Sequence, residues 1–131
     1  MIVLDTHVII WDALKPELVS PAAKGAILKA NERDELILCD ISLWEIAMLM
    51  HKGRLDVSIP YSALIDLILK SNHYKVMAIN SHIAEIAVNL PDSINQDPAD
   101  RLIVATALAV ASPLVTIDRN LRKAKEIKTI W

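Results

Sequence analysis

Five short apolar runs alternate with segments whose apolar residues fall at helix spacing, and this alternation limits the fold more than any other feature of the chain. The runs are "MIVL" at the start, Leu36–Cys39, residues 75–79, residues 113–117, and "IKTI" at 127–130. Each is short enough for a strand and apolar enough to be buried on both faces. Helical patterns occupy residues 21–30, 41–51, 60–70, 81–89 and 98–111. Pro21, Pro60 and Pro98 open three of them, at the position where a missing N–H is harmless. Strands alternating with helices predict a parallel sheet covered on both faces, an α/β sandwich. The two glycines and six prolines punctuate one unit, without repeat or linker, so residues 1–131 read as a single domain.

Composition narrows the setting. Hydrophobic residues make up 53% of the chain and mean hydropathy is +0.35, so either the core is large or apolar surface meets a partner. A symmetric dimer is expected, with the Met-rich helix at 41–50 as a candidate contact. Cys39 is the only cysteine; an unpaired thiol suits a reducing compartment, the cytosol. The opening "MIVLDTHVIIW" has no basic segment and meets Asp5 at once, which is unlike a signal peptide. The longest apolar tract, 102–115, is interrupted by Thr106, Ser112 and Pro113 and falls short of the ~18 residues of a membrane span. Net charge is −2, so any contact with nucleic acid must be local. The basic stretch "DRNLRKAKEIK" reads first as a solvated helix face.

Four acids carry the chemistry. Asp5 ends the first run, Asp118 ends the fourth, and Asp100 sits in the first turn of the helix that feeds the fourth strand. All three fall at the carboxyl edge of the sheet, where open parallel sheets bind ligands. Glu45 lies on the apolar face of its helix beside Ile41, Met48 and Leu49, and residues 39–50 supply no cation. A buried carboxylate without a counter-charge is costly, and a metal ion is one remedy. Hard oxygen donors suit Mg²⁺ or Mn²⁺, and phosphoryl chemistry is the natural reaction class for such an ion. Singly, each acid also has a structural reading: Asp5 as a helix cap, Asp118 as a turn former in "TIDRN", and Asp97, Pro98 and Asp100 as an N-cap, N1 and N3 series. His7, His51, His73 and His82 show no zinc spacing among themselves or with Cys39, and neither a phosphate-binding glycine loop nor a nucleophile elbow is present. Trp11 and Trp44 fall in apolar helical patterns and read as core or dimer contacts rather than base-stacking residues.

The segments "LDTHVIIW", "SLWEIAMLMHKGRL", "LPDSINQDPADRLIVATA" and "PLVTID" together resemble PIN-domain ribonucleases of the VapC toxin type, in order and spacing and over nearly the whole chain. The resemblance implies a PIN-like three-layer α/β/α sandwich with a central parallel sheet of about five strands. It also implies Mg²⁺- or Mn²⁺-dependent cleavage of RNA, inhibition by a VapB-type antitoxin, and a homodimer. Its acidic site maps onto Asp5, Glu45, Asp100 and Asp118, with Thr6 and Thr116 as supporting hydroxyls. Arg101 matches a common arginine, with a site carboxylate, a phosphate or a structural salt bridge as its expected partner. Relatives often carry histidine just before the aspartate–proline pair, where this chain has Asn95 and Gln96. Two other readings fit parts of the pattern. One is a PIN-like module that binds RNA or protein without cutting; the other is a Mg²⁺-binding phospho-accepting signalling domain, although "VLDTHV" lacks a neighbouring acid pair.

Overall fold

The computed structural model describes residues 1–131. Strand β1 (Ile2–Leu4) is buried along its whole length and occupies the middle of a five-stranded sheet. On one side lie β2 (Leu36–Cys39) and then β3 (Tyr74–Met77); on the other lie β4 (Leu114–Val115) and then β5 (Thr129–Ile130), giving the order β3-β2-β1-β4-β5. Every pairing is parallel, with Val3 level with both Ile37 and Leu114.

Side-chain alternation along these strands feeds two cores. Ile2, Leu4, Leu36, Leu38 and Val115 pack against α1 (Thr6–Leu14), α2 (Pro21–Glu32), α3 (Asp40–His51) and α4 (Tyr61–Ser71). Val3, Ile37, Cys39 and Leu114 face the opposite way, towards α6 (Pro98–Ala109) and α7 (Arg119–Lys123), with α5 (Ser81–Asn89) packed on α6 beyond them. The result is the expected α/β/α sandwich. Removing a buried side chain such as Ile37 is expected to cost about 2–5 kcal/mol, because it leaves a hole between close-packed layers.

The structure corrects several expectations. β3 and β5 are not buried strands: Lys75 and Val76 are exposed, and Thr129 and Ile130 are half-buried, because both strands sit at sheet edges that no further element covers. The sequence marks helix α1 only through Asp5 as a cap and Trp11 in an apolar helical pattern, and gives it no bounds. Val8, Ile9 and Ile10 are all buried, and a helix with consecutive apolar residues carries little 3.6-residue period to detect. Pro21 and Pro98 take the first helical position, whereas Pro60 is the N-cap of α4. Helix α6 stops at Ala109, and Ala111 closes the turn with a left-handed φ of 49°. No helix is long and apolar enough to cross a membrane.

The strand order also fixes where a site forms. From β1 the sheet grows through β2 to β3 on one side and through β4 to β5 on the other. The segments leaving β1 and β4 therefore part company at adjacent strand ends, and a crevice opens between them.

Candidate functional site

Asp5 leaves β1 into that crevice. It caps α1, its Oδ1 accepting from the Thr6 N–H at 2.9 Å, and its Oδ2 accepts from the Thr116 hydroxyl just past β4 at 2.6 Å. The same Thr116 oxygen accepts from the Asp118 N–H at 3.0 Å. Asp118 in turn caps α7, accepting from the Leu121 N–H at 3.0 Å through Oδ1. Its Oδ2 accepts from the Asn95 side-chain amide at 3.1 Å, and this amide also donates to Asp100 Oδ2 at 3.2 Å. One hydrogen-bonded chain thus runs from Asp5 through Thr116, Asp118 and Asn95 to Asp100.

The other wall comes from α3 and α6. Glu45 points off the buried side of α3 at 9% exposure, and it accepts no backbone N–H. Asp97 caps α6, accepting from the Asp100 N–H at 3.1 Å, and Asp100 follows in the first turn. Glu45, Asp97 and Asp100 can each bring one carboxylate oxygen within 4.8 Å of the others. No lysine or arginine pairs with any of them, since the ion pairs of the molecule are Met1–Glu35 and His73–Asp34.

Crowding shows in the proton affinities. Burial pushes the Asp100 carboxyl from 3.8 up to about 7, and the charges of Asp5, Asp97 and Glu45 add to the rise while Asn95 opposes it. Burial also raises Glu45, against a lowering by the Thr6 hydroxyl. Asp5 is raised by burial as well, although its bonds to Thr116 and Thr6 favour the charged form. Desolvation without a counter-cation explains all three directions. The walls enclose a groove of about 280 Å³ into which His7 and Arg54 also project.

Asp5, Glu45, Asp100 and Asp118 all line this one groove. Asp97, which the sequence marks only as a helix cap, is both a cap and a member of the tight acidic triplet. Thr116 holds Asp5 directly, whereas the buried Thr6 hydroxyl bonds to Ser42 Oγ at 2.9 Å. Arg101 forms no salt bridge and meets no site carboxylate. Its guanidinium donates to the carbonyl oxygens of Ala87, Leu90, Pro91, Ile94 and Asn95, so it clamps the loop that presents Asn95.

Asn95 and Arg54 are site residues that the sequence does not single out. Asn95 carries a visible clue, its place just before the aspartate–proline pair. Arg54 carries little: it follows Gly53, whose φ of +66° turns the chain back after α3. Trp44, expected in the core or a dimer contact, is 57% exposed, while Trp11 packs against the core. The basic side chains of α7 are exposed, as expected of a solvated face.

A strand-end crevice lined by carboxylates, in a five-stranded parallel α/β/α sandwich, defines a class. Residues 2–127 match the PIN domain model, and the chain belongs to the PIN-domain family. Within that class it is 38% identical to Ribonuclease VapC22 of Mycobacterium tuberculosis (strain ATCC 25618 / H37Rv), over 99% of this chain and 98% of the relative. Two solved folds are similar at lower identity. VapBC2 from Rickettsia felis, bound to a DNA fragment from its promoter, superposes with a TM-score of 0.72 at 14% identity, covering 98% of this chain and 97% of the other. A toxin–antitoxin complex from Klebsiella pneumoniae gives 0.64 at 18%, covering 96% and 94%.

Proposed function

We propose that this protein is a divalent-metal-dependent endoribonuclease acting as the toxin of a toxin–antitoxin pair. The observation that carries the reading is the unpaired triplet Glu45, Asp97 and Asp100, set in a groove with Asp5 and Asp118, in a chain 38% identical to a ribonuclease.

The donor set fits a hard divalent ion. Three carboxylates converge without a lysine or arginine between them, and oxygen ligands of this kind suit Mg²⁺ or Mn²⁺. Glu45, Asp97 and Asp100 would hold it, with Asp5 and Asp118 close by. When bound, such an ion supplies charge neutralisation, Lewis acidity and a lowered pKa for water.

The remaining roles belong to the chain. Asp5 and Asp118 each have both oxygens engaged by fixed donors, so their positions are set before substrate arrives. Asp100 keeps Oδ1 outside its bond to Asn95, free to help hold the ion and to orient an attacking water beside it. No serine or cysteine lines the groove, and water activated beside the carboxylates is the nucleophile of this reading. Arg54, on the groove wall, meets the phosphodiester charge.

Partners follow from the surface. An apolar hollow of about 360 Å³ formed by Ile41, Trp44, Met48, Pro98 and Ala99 adjoins the acidic triplet through Asp97. It offers a seat for an apolar segment of a VapB-type antitoxin, whose basic side chains would then reach the acids. A homodimer would cover further exposed apolar residues such as Leu67 and Val88. The buried thiol of Cys39, pushed up to about 12 chiefly by desolvation, suits the reducing cytoplasm. The phospho-acceptor alternative is disfavoured by Asp5, which is 8% exposed with both oxygens bonded.

The test is direct. Purified protein should cleave structured RNA in Mg²⁺ or Mn²⁺ and stop in excess EDTA; cleavage that continues undiminished in chelator would overturn the metal-dependent reading.

A further inference from the structure

Helix α7 starts at the acidic site and ends in a basic one. Asp118 caps it, and Arg119, Arg122 and Lys123 follow. Leu121 between them is fully buried and anchors the helix to the core. The three cations are exposed and form no ion pair, since the salt bridges of the molecule lie elsewhere. In a chain of net charge −2, this concentration of unpaired positive charge is local. With Thr129 and Trp131 the cations line a hollow of about 430 Å³.

A solvated helix face accounts for exposed cations but not for a hollow with an indole in its wall. Nor does it account for the aromatic line that joins this hollow to the acidic groove. The Trp131 ring lies 6.1 Å from Trp11 with a 56° tilt, and Trp11 lies 6.1 Å edge-on from His7. His7 is itself a wall of the acidic groove.

We propose that the hollow of Arg119, Arg122, Lys123, Thr129 and Trp131 is a second subsite for single-stranded RNA, in which the cations take backbone phosphates and Trp131 stacks on a base. This inference rests on the ribonuclease reading and extends it along the strand. Single-strand sites join a basic groove to an aromatic stacking surface in this way. The helix rise of about 1.5 Å per residue puts the cations about 2–8 Å past Asp118 along the axis, a reach of one or two nucleotides. Carboxylates repel phosphate at one end and guanidinium groups attract it at the other, so the pairing sets where the strand lies and which phosphodiester meets the acids.

The experiment measures fluorescence anisotropy of a labelled single-stranded RNA of about twenty nucleotides, long enough to span both subsites. Binding is read in EDTA over a salt series, with the RNA checked intact on a gel. The combined variant Arg119→Gln, Arg122→Gln and Lys123→Gln should raise the dissociation constant more than about tenfold at low salt. The salt slope should fall by about two, at roughly 0.7 for each phosphate that is no longer neutralised. Its thermal melt should match wild type, and in Mg²⁺ its KM for cleavage should rise while kcat holds. Trp131→Leu, which keeps an apolar side chain against Trp11, should weaken binding about fivefold or more without changing the salt slope.

Unchanged affinity and salt slope in the triple variant would overturn the subsite, as would a wild-type preference for duplex DNA of equal length. Cleavage by wild type with an unaffected triple variant sinks the subsite alone. RNA bound through these residues but never cut supports the subsite and sinks the ribonuclease reading.

Discussion

The two walls of the groove are both built from carboxylates and differ in how their oxygens are met. Along the β1 and β4 edge, Asp5 and Asp118 have every oxygen engaged by a hydroxyl, a backbone N–H or the Asn95 amide. Along the α3 and α6 edge, Asp97 accepts from the Asp100 N–H, Asp100 from the Asn95 amide and Glu45 has the Thr6 hydroxyl beside it, so these three carboxylates have fewer donors than oxygens, and no paired cation. Hydrogen bonds to the charged form oppose burial on the first wall, whereas like charges compound it on the second. One wall has its carboxylate oxygens met by the protein; the other has most of them unmet, and it is the wall proposed to hold the metal.

Substitutions on the two walls should therefore fail differently. The largest effect belongs to the open wall. Asp100→Asn should lower metal-dependent cleavage by roughly 10²-fold or more, the scale for removing a group matched to the transition state. It should leave the metal-free fold intact or slightly firmer, because one repelling charge is gone. Near wild-type cleavage in this variant would remove the distinction between the walls.

On the closed wall, Thr116→Val deletes the 2.6 Å hydroxyl bond to buried Asp5. This should cost about 1–3 kcal/mol of stability in a chemical melt, the penalty for leaving a buried acceptor unmet. A stability loss under a few tenths of that would mean Asp5 is less dependent on its donors than the geometry indicates.

A pH series on the metal-free protein reads the open wall without any substitution. The folded pKa of Asp100 is raised from 3.8 to about 7, so the folded state binds this proton more tightly than the unfolded chain does. The resulting stability is present below about 4 and is lost as pH rises through about 7. Saturating Mn²⁺ should flatten the upper part of that decline, because the ion replaces the proton. Stability that climbs across this window without metal would contradict the crowded-acid picture.

The smallest structural effect is expected from Asp97→Asn. Asparagine caps about as well as aspartate, so stability should move by only a few tenths of a kcal/mol. Metal-dependent cleavage should still fall measurably, because the residue is also part of the triplet. Full activity with full stability would return Asp97 to a cap and nothing more.

Much of this is legible in the sequence because strand ends and helix starts are marked by residue type. Short apolar runs locate the strands, and acids placed at their ends locate the crevice, so Asp5, Asp100 and Asp118 can be read from the chain alone. Glu45 is legible by contrast, a charge on an apolar face. The extent of helix α1 is blurred because Val8, Ile9 and Ile10 are all buried and leave no clear stripe. Asp97 is half hidden, since a good N-cap explains an aspartate before proline so well that a second duty leaves no separate mark. Arg101 and Asn95 depend on where the 90–95 loop folds, and a guanidinium bound to five carbonyl oxygens leaves no sequence spacing to read. The edge strands β3 and β5 lie in runs that carry Lys75, Lys128 and Thr129, polar residues absent from the central β1 and β2, so their exposure is marked in the sequence although the run pattern alone groups all five together.

Calorimetric titration of Mn²⁺ into wild type, Glu45→Gln and Asp100→Asn tests the central claim most directly, without relying on any RNA substrate. Saturable binding to wild type is expected, tightening from about pH 6 to about 8 as the Asp100 proton is lost, with at least about tenfold weaker binding in both variants. Binding of equal affinity in all three proteins would place the ion elsewhere and contradict the assignment of Glu45, Asp97 and Asp100 as its site.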